Sequence, residues 1–487
     1  MSRFLFPTDA ASMKTRIILL ATLWALPVCW CLSCALAESA ELPAADGYRG
    51  IWYACHRQPG EYVFKYSGGM GTFCAKHRPI AIYAKEVDKT FFCYGGTTPG
   101  NKTLLHMVSY YDHKTGMVPR PRILMDKKTT DAHDNPVISI DQKGHLWVFS
   151  SAHGNLRPSC LWVSKKPYDI NEFERVETNA FATKRHKMNF CYAQPHYIPG
   201  DDFCLLLTRY TNNGGRMLYA SSSPDGHWWT KPKPYATIDM GHYQVSERCG
   251  KRVGTCFNFH PNHKGGNWRT NLYYMETSDA GKSWTAVDGT PLKVPLTDEK
   301  NPALVHDYQG DGRLVYLKDM CFDAEGRPVL LYMTSRGWQA GPGNDPRIWE
   351  TARWTGHTWE IRGSIHSDNN YDMGSLYIEE DGRWRIIAPT ETGPQPYNPG
   401  GEVAIWVSRN QGKSWEKVKQ LTNNSEFNHS YCRRPLNAHP DFYAFWADGH
   451  GRKPSESRLY FSNRDGNYVG RLPISMTDEF ARPEVIK

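Results

Sequence analysis

The chain has 487 residues, a formal net charge of +8 at pH 7, a hydrophobic fraction of 40%, 17 tryptophans and a mean hydropathy of −0.60. Its positive charge is spread without a dense Lys/Arg run, which argues against a nucleic-acid partner and suits an acidic polymer of another kind. Many aromatics on a polar background fit a β-rich protein whose rings are free to stack on sugars.

The first segment has the order of an export signal. Lys14 and Arg16 precede an apolar run over 17–32, and Ala35-Leu36-Ala37 supplies a small-x-small cleavage site. Pro27 and the shortness of the run count against a membrane anchor. Met13 offers an alternative start, and the reading is a signal peptide over 1–37 with a mature chain from Glu38. Its removal leaves 10 of 13 cysteines, too scattered for a small disulfide scaffold.

From Tyr48 onward no convincing helical period exceeds about two turns, and short strands with turn residues recur instead. Gly68, Gly69 and Gly71 form a tight loop ahead of Lys76 and His77, which are candidate substrate contacts at a mouth of the fold. A plain structural turn is the alternative.

The stretch 129–154 reads as a hairpin: Val137 to Ile140, a turn at Asp141 to Gly144, then Leu146 to Phe149. Its outer ends carry His133 and His153 among Asp131, Asp134, Asn135 and Ser151. Short polar groups orient imidazoles, and imidazole suits proton transfer near neutral pH. Two loop histidines at a sheet rim would look the same.

A further strand pair brings Tyr192, with Tyr197 close by in sequence, toward Arg209. An arginine closing an apolar strand needs an anion or a hydrogen-bonding partner, although Tyr192 also reads as a core aromatic and Arg209 as a surface residue. His242, Cys256 and His260 form a third group. Positions four apart share one face of a strand, so Cys256 and His260, with His242 from a neighbouring strand, are candidate ligands of a structural zinc.

Thr277 to Trp284 and Ser408 to Trp415 are near copies of an S-x-D-x-G-x-x-W hairpin loop, the Asp-box, and Ser223 to Trp229 is a degenerate third. Repeated hairpins without helices or low-complexity linkers predict one all-β domain over 38–487. At roughly 64 residues per unit this is a seven-bladed β-propeller.

GYRGIWY (47–53), KYSGGMGT (65–72), KTFFCYGGTT (89–98), D-x-HDN (131–135), GHLWVF (144–149) and RTNLYYMETSDAGKSW (269–284) together resemble the BNR-4 type repeat proteins. These are seven-bladed propellers that include the ulvan lyases of polysaccharide lyase families 24 and 25, with family 25 the nearer. The resemblance implies cleavage of a uronate-containing, sulfated polysaccharide by β-elimination; with the export signal and the spread charge, the expectation is a secreted or periplasmic monomer without nucleic-acid or membrane partners. It implies His133, His153, Tyr192 and Arg209 as catalytic residues; Lys76, His77, Asn135 and Tyr197 are read beside them as substrate contacts. It implies no catalytic cofactor, and a structural zinc on His242, Cys256 and His260. The alternatives are an α-L-rhamnosidase working at the opposite mouth around His77, and a glycan-binding propeller without catalysis.

Overall fold

Apolar residues on both faces of each strand shape the molecule. In Phe203–Tyr210, Leu205 and Leu207 pack toward Trp147 and Phe149 of the preceding sheet, while Cys204 and Leu206 pack toward Phe257 of the following one. A strand covered on both sides belongs inside a stack of sheets, and a stack that closes on itself is a propeller. In this computed structural model, which describes residues 41–57, 60–72, 77–200 and 203–487, seven antiparallel sheets of four or five strands follow one another in chain order, with two two-stranded sheets beside them. The expected leader over 1–37 and Lys76 lie outside the described residues.

We number the blades 1 to 7. Their first strands are Ala81–Ala84, Pro136–Ile140, Cys191–Tyr197, Gln244–Cys249, Leu314–Phe322, Ser375–Ile378 and Asn428–Arg433. These first strands pack against one another around the axis. Where they begin defines one mouth of the ring, and where they end defines the other. Among the described residues the only helical turns are 3-10 segments at Ala132–Asp134 and Pro342–Asn344. The seam between blades 7 and 1 is held by Phe442, stacked on Phe92, and by the chain end, where Phe480 and Ala481 pair with Pro119 and Val118.

All three Asp-box loops form as the motif requires. Thr277 Oγ1 accepts the Gly281 N–H at 2.9 Å, Asp279 Oδ1 accepts the N–H groups of Lys282 and Ser283, and Trp284 stacks on Tyr235 at 4.4 Å. The degenerate copy does the same: Gly226 N–H reaches Ser223 Oγ at 2.8 Å, and Trp229 is buried. None of the nine described cysteines is paired with another in a disulfide.

Four charged side chains cross the axial channel. Arg78 of blade 1 pairs with Glu247 of blade 4 at 2.8 Å and with Asp319 of blade 5. Arg434 of blade 7 pairs with Glu247 at 2.5 Å and with Asp319 at 3.5 Å. Burial alone pushes the Glu247 carboxyl up, but the two guanidinium groups outweigh it and bring it down to about 2. A cavity of about 1160 Å³ opens beyond this cluster, lined by the terminal ends of the first strands and by Glu247 and Arg434 themselves.

Candidate active site

The histidine pair is assembled at the other mouth, where the first strands begin. Asp131 caps the short turn Ala132–Asp134, accepting the His133 N–H at 3.0 Å, and so points its carboxylate back over the loop. Its Oδ1 then takes His133 Nδ1 at 2.6 Å and its Oδ2 takes His153 Nδ1 at 2.7 Å. One carboxylate thus holds both imidazoles, stacked at 3.9 Å with 14° between their planes. Carboxylates only accept, so both Nδ1 atoms are donors and each neutral ring presents Nε2 as its basic nitrogen. Burial raises the Asp131 carboxyl, but hydrogen bonds from His133 and His153 outweigh this and hold it well below the usual carboxylate range.

Behind the pair stands a rigid support. Arg157 bonds Asp131 Oδ2 at 2.9 Å and grips Asp134 through Nε at 2.7 Å and Nη2 at 2.9 Å. Asp134 is fully buried, with Lys127 Nζ 3.4 Å away. Asp131 is therefore the organising residue. The D-x-H spacing was its signal in the sequence.

His77 lies at this same mouth and not the opposite one, since its Nε2 donates to the His133 carbonyl at 2.9 Å and its ring meets Tyr192 edge-on at 5.8 Å. Burial pulls its imidazole down to about 3, so it is a neutral support beneath His133. Asn135 is buried too, donating to the Gly68 carbonyl at 2.8 Å. It fixes the glycine loop against blade 2.

Tyr192 has a left-handed backbone, φ 49°, at a register shift between Cys191 and Gln194. A bulge of this kind redirects a side chain out of the strand's alternation. Its buried ring comes within 6.2 Å of His133, and its hydroxyl lies 3.0 Å from that of half-buried Tyr210. Tyr210 also meets the His153 ring at 5.8 Å. Tyr197 stands at the other end of this strand, where it lines the far cavity. Five residues of strand put it about 16 Å from Tyr192, so the two tyrosines serve opposite mouths.

Arg209 does not join Tyr192. Alternation turns it to the Leu205 and Leu207 face of its strand, over the Tyr219 ring at 5.8 Å, with Nε and Nη2 lacking a hydrogen-bond partner among the described residues. The arginine beside the tyrosine pair is Arg216, cross-strand neighbour of Tyr210. Its guanidinium lies 5.5 Å from the rings of both Tyr210 and Tyr243. Arg269 follows, 4.5 Å from Tyr243 and within 5.3 Å of Tyr316 and Tyr371. This arginine–tyrosine wall was missed because its members come from blades 3, 4 and 5 and from the segment that leads into blade 6.

His242, Cys256 and His260 do not fit a zinc site. Both ring nitrogens of His242 are engaged by backbone, Nδ1 with the Asn258 carbonyl at 2.9 Å and Nε2 with the Ile238 N–H at 3.0 Å. Cys256 faces an apolar cluster with Val245, Leu272 and Tyr274. A register shift between Phe257 and Phe259 breaks the parity that would have placed it on the same side as His260.

A family model described as a BNR repeat-containing family member matches residues 106–385. An ulvan lyase of Nonlabens ulvanivorans is 24% identical over 349 residues, covering 65% of this chain and 70% of that protein. The protein named Ulvan Lyase-PL25 from Pseudoalteromonas sp. (strain PLSV) is 22% identical over 366 residues, covering 64% and 70%. Among solved structures, a polysaccharide lyase described as PL25-Ulvanlyase aligns with a TM-score of 0.65 at 17% identity, over 87% of this chain and 96% of that one. The polysaccharide lyase Uly1 aligns at 0.60 and 12% identity, over 87% and 98%.

Proposed function

From the premise that the chain belongs to the BNR repeat-containing family, we propose that it is a polysaccharide lyase cleaving a uronate-containing polymer by β-elimination. The observation that carries this reading is the single carboxylate of Asp131 holding two basic imidazole nitrogens beside a tyrosine pair and an arginine. Relatives named ulvan lyases support it.

Elimination removes the proton at C5 of the uronate, forms the C4–C5 double bond and expels the O4-linked sugar, which takes up a proton. Loss of the C5 proton places negative charge on the carboxylate, and a guanidinium fork beside it stabilises that charge. Arg216 fills this role, taking over the part the sequence assigned to Arg209. Tyr192 carries the proton with Tyr210 as its hydroxyl partner, and the Nε2 atoms of His133 and His153 supply the basic groups at the mouth. Both halves of the reaction then draw on this chain's own side chains.

The substrate class is part of this reading. Half-buried Arg216 beside Tyr210 supplies positive charge at this mouth, backed by buried Arg269 among the rings of Tyr243, Tyr316 and Tyr371, and such charge suits a sulfated uronate polymer such as ulvan. Export of the mature chain belongs to the same reading, because such polymers lie outside the cell.

Incubation with ulvan tests it. New ultraviolet absorbance from an unsaturated uronate, rising with chain scission, is the expected result. Free rhamnose, or new reducing ends, without that absorbance would replace the lyase with a hydrolase.

A further inference from the structure

We propose that His113, His439 and Asp441 form a divalent-metal site that joins the first blade of the propeller to the last. His113 follows the third strand of blade 1, Leu105–Asp112, while His439 and Asp441 lie in the loop after the first strand of blade 7, Asn428–Arg433. One ligand atom from each of the three residues lies within 4.8 Å of the other two. The imidazole centroids lie 3.8 Å apart with 44° between the planes, and His439 Nδ1, 3.8 Å from the Asp441 carboxylate, accepts the Asp441 N–H at 3.2 Å, a long contact that a bound ion would displace. Tetrahedral zinc at about 2.0–2.1 Å from each donor sets its ligands roughly 3.4 Å apart. A small contraction of side chains on loops therefore closes the set.

Three further observations point to a cation. His113 Nδ1 is buried and has no hydrogen-bond partner among the described residues, an arrangement that native interiors seldom leave unexplained. Its other nitrogen, Nε2, sits 2.8 Å from Thr90 Oγ1. With Nε2 donating to that hydroxyl, the lone pair is left on Nδ1, which is how outer partners orient a ligating histidine. The surroundings are anionic as well: Asp88, Asp112 and Asp441 all act on His113.

Two imidazoles and one carboxylate suit zinc and the neighbouring first-row divalent ions, and exposed Asp441 leaves room for water as a fourth ligand. Tyr83 and Tyr111 wall the pair, at 5.4 and 5.0 Å from the His113 ring. The site differs from the Asp131 cluster in position and in role. Here the ligands come from two blades far apart in sequence, so a bound ion acts as a clasp on the ring.

The test is calorimetric titration of the mature chain, stripped with chelator and dialysed, with zinc chloride, alongside thermal unfolding. We expect a one-equivalent binding step that disappears in His113→Ala and in Asp441→Asn but persists in His153→Ala, which controls for the other histidine pair. Zinc at about a hundred-fold excess over Kd should raise the unfolding midpoint of the native chain by about 3 °C and leave Asp441→Asn unmoved. Asp441→Asn preserves shape at an exposed position, so a folding defect does not obscure the result. Absence of zinc binding tighter than about 100 μM, or equal binding by Asp441→Asn and the native chain, overturns the proposal.

Discussion

Replacing Asp131 by asparagine is the sharpest probe of the candidate active site. The change keeps size and shape but converts a double acceptor into one acceptor and one donor. In the native chain Oδ1 accepts from the His133 ring and backbone, and Oδ2 accepts from His153 and Arg157. Whichever way the amide turns, its NH₂ meets two donors. One imidazole must rotate or change tautomer, presenting Nδ1 where Nε2 had been. A general acid–base group out of position forfeits roughly 10²–10⁴-fold in rate, so kcat on ulvan should fall by that order while KM changes little. The stranded donors cost about 1–3 kcal/mol, which for a chain of this size lowers the unfolding midpoint by only a few degrees. The assay is initial-rate absorbance of the unsaturated product, with circular dichroism to confirm folding. An Asp131→Asn protein turning over within threefold of the native rate would refute the idea that one carboxylate organises both histidines.

The other predictions follow from the same geometry. Tyr192→Phe should lower kcat by about 10²–10⁴-fold with substrate binding kept, as measured by rate and by calorimetric titration with polymer. Arg216→Lys keeps the charge but loses the planar fork and should cripple turnover, whereas Arg209→Lys, over Tyr219, should act mildly; the reverse order would return the carboxylate-binding role to Arg209. Glu247 reaches about 2 in the folded chain against an ordinary value of 4.5, so its stabilising effect is complete above pH 4.5 and is lost as the pH falls toward 2. That difference corresponds to about 3 kcal/mol, and Glu247→Gln should flatten the acid limb of stability measured by urea unfolding between pH 5 and 2.

What could be read from the sequence was local. Asp-box loops close within eight residues, and the hairpin between His133 and His153 folds on itself, so the blades and the histidine pair were legible from spacing alone. Parity failed wherever a bulge intervened. The shift at Tyr192 carries its ring to the histidines while Arg209 keeps the regular alternation on another face. The shift between Phe257 and Phe259 undoes the assumed common side of Cys256 and His260. Strand length matters equally: Tyr197 is near Tyr192 in sequence yet lines the other mouth. His77 beneath His133, and Arg216 against Tyr243, are contacts between blades, and no local period encodes them.

The charged cluster on the axis turns the ring into a wheel with a hub. Without it, each blade would be braced only by its two neighbours, and a rupture at the seam could spread sideways one blade at a time. Arg78 and Arg434 belong to the blades on either side of that seam, and both are tied to Glu247 and Asp319 across the diameter. Pulling the seam apart must therefore tear spokes anchored on the far rim. The same hub is also a partition: it spans the axis between the cavity at one mouth and the carboxylate of Asp131 with its two histidines at the other.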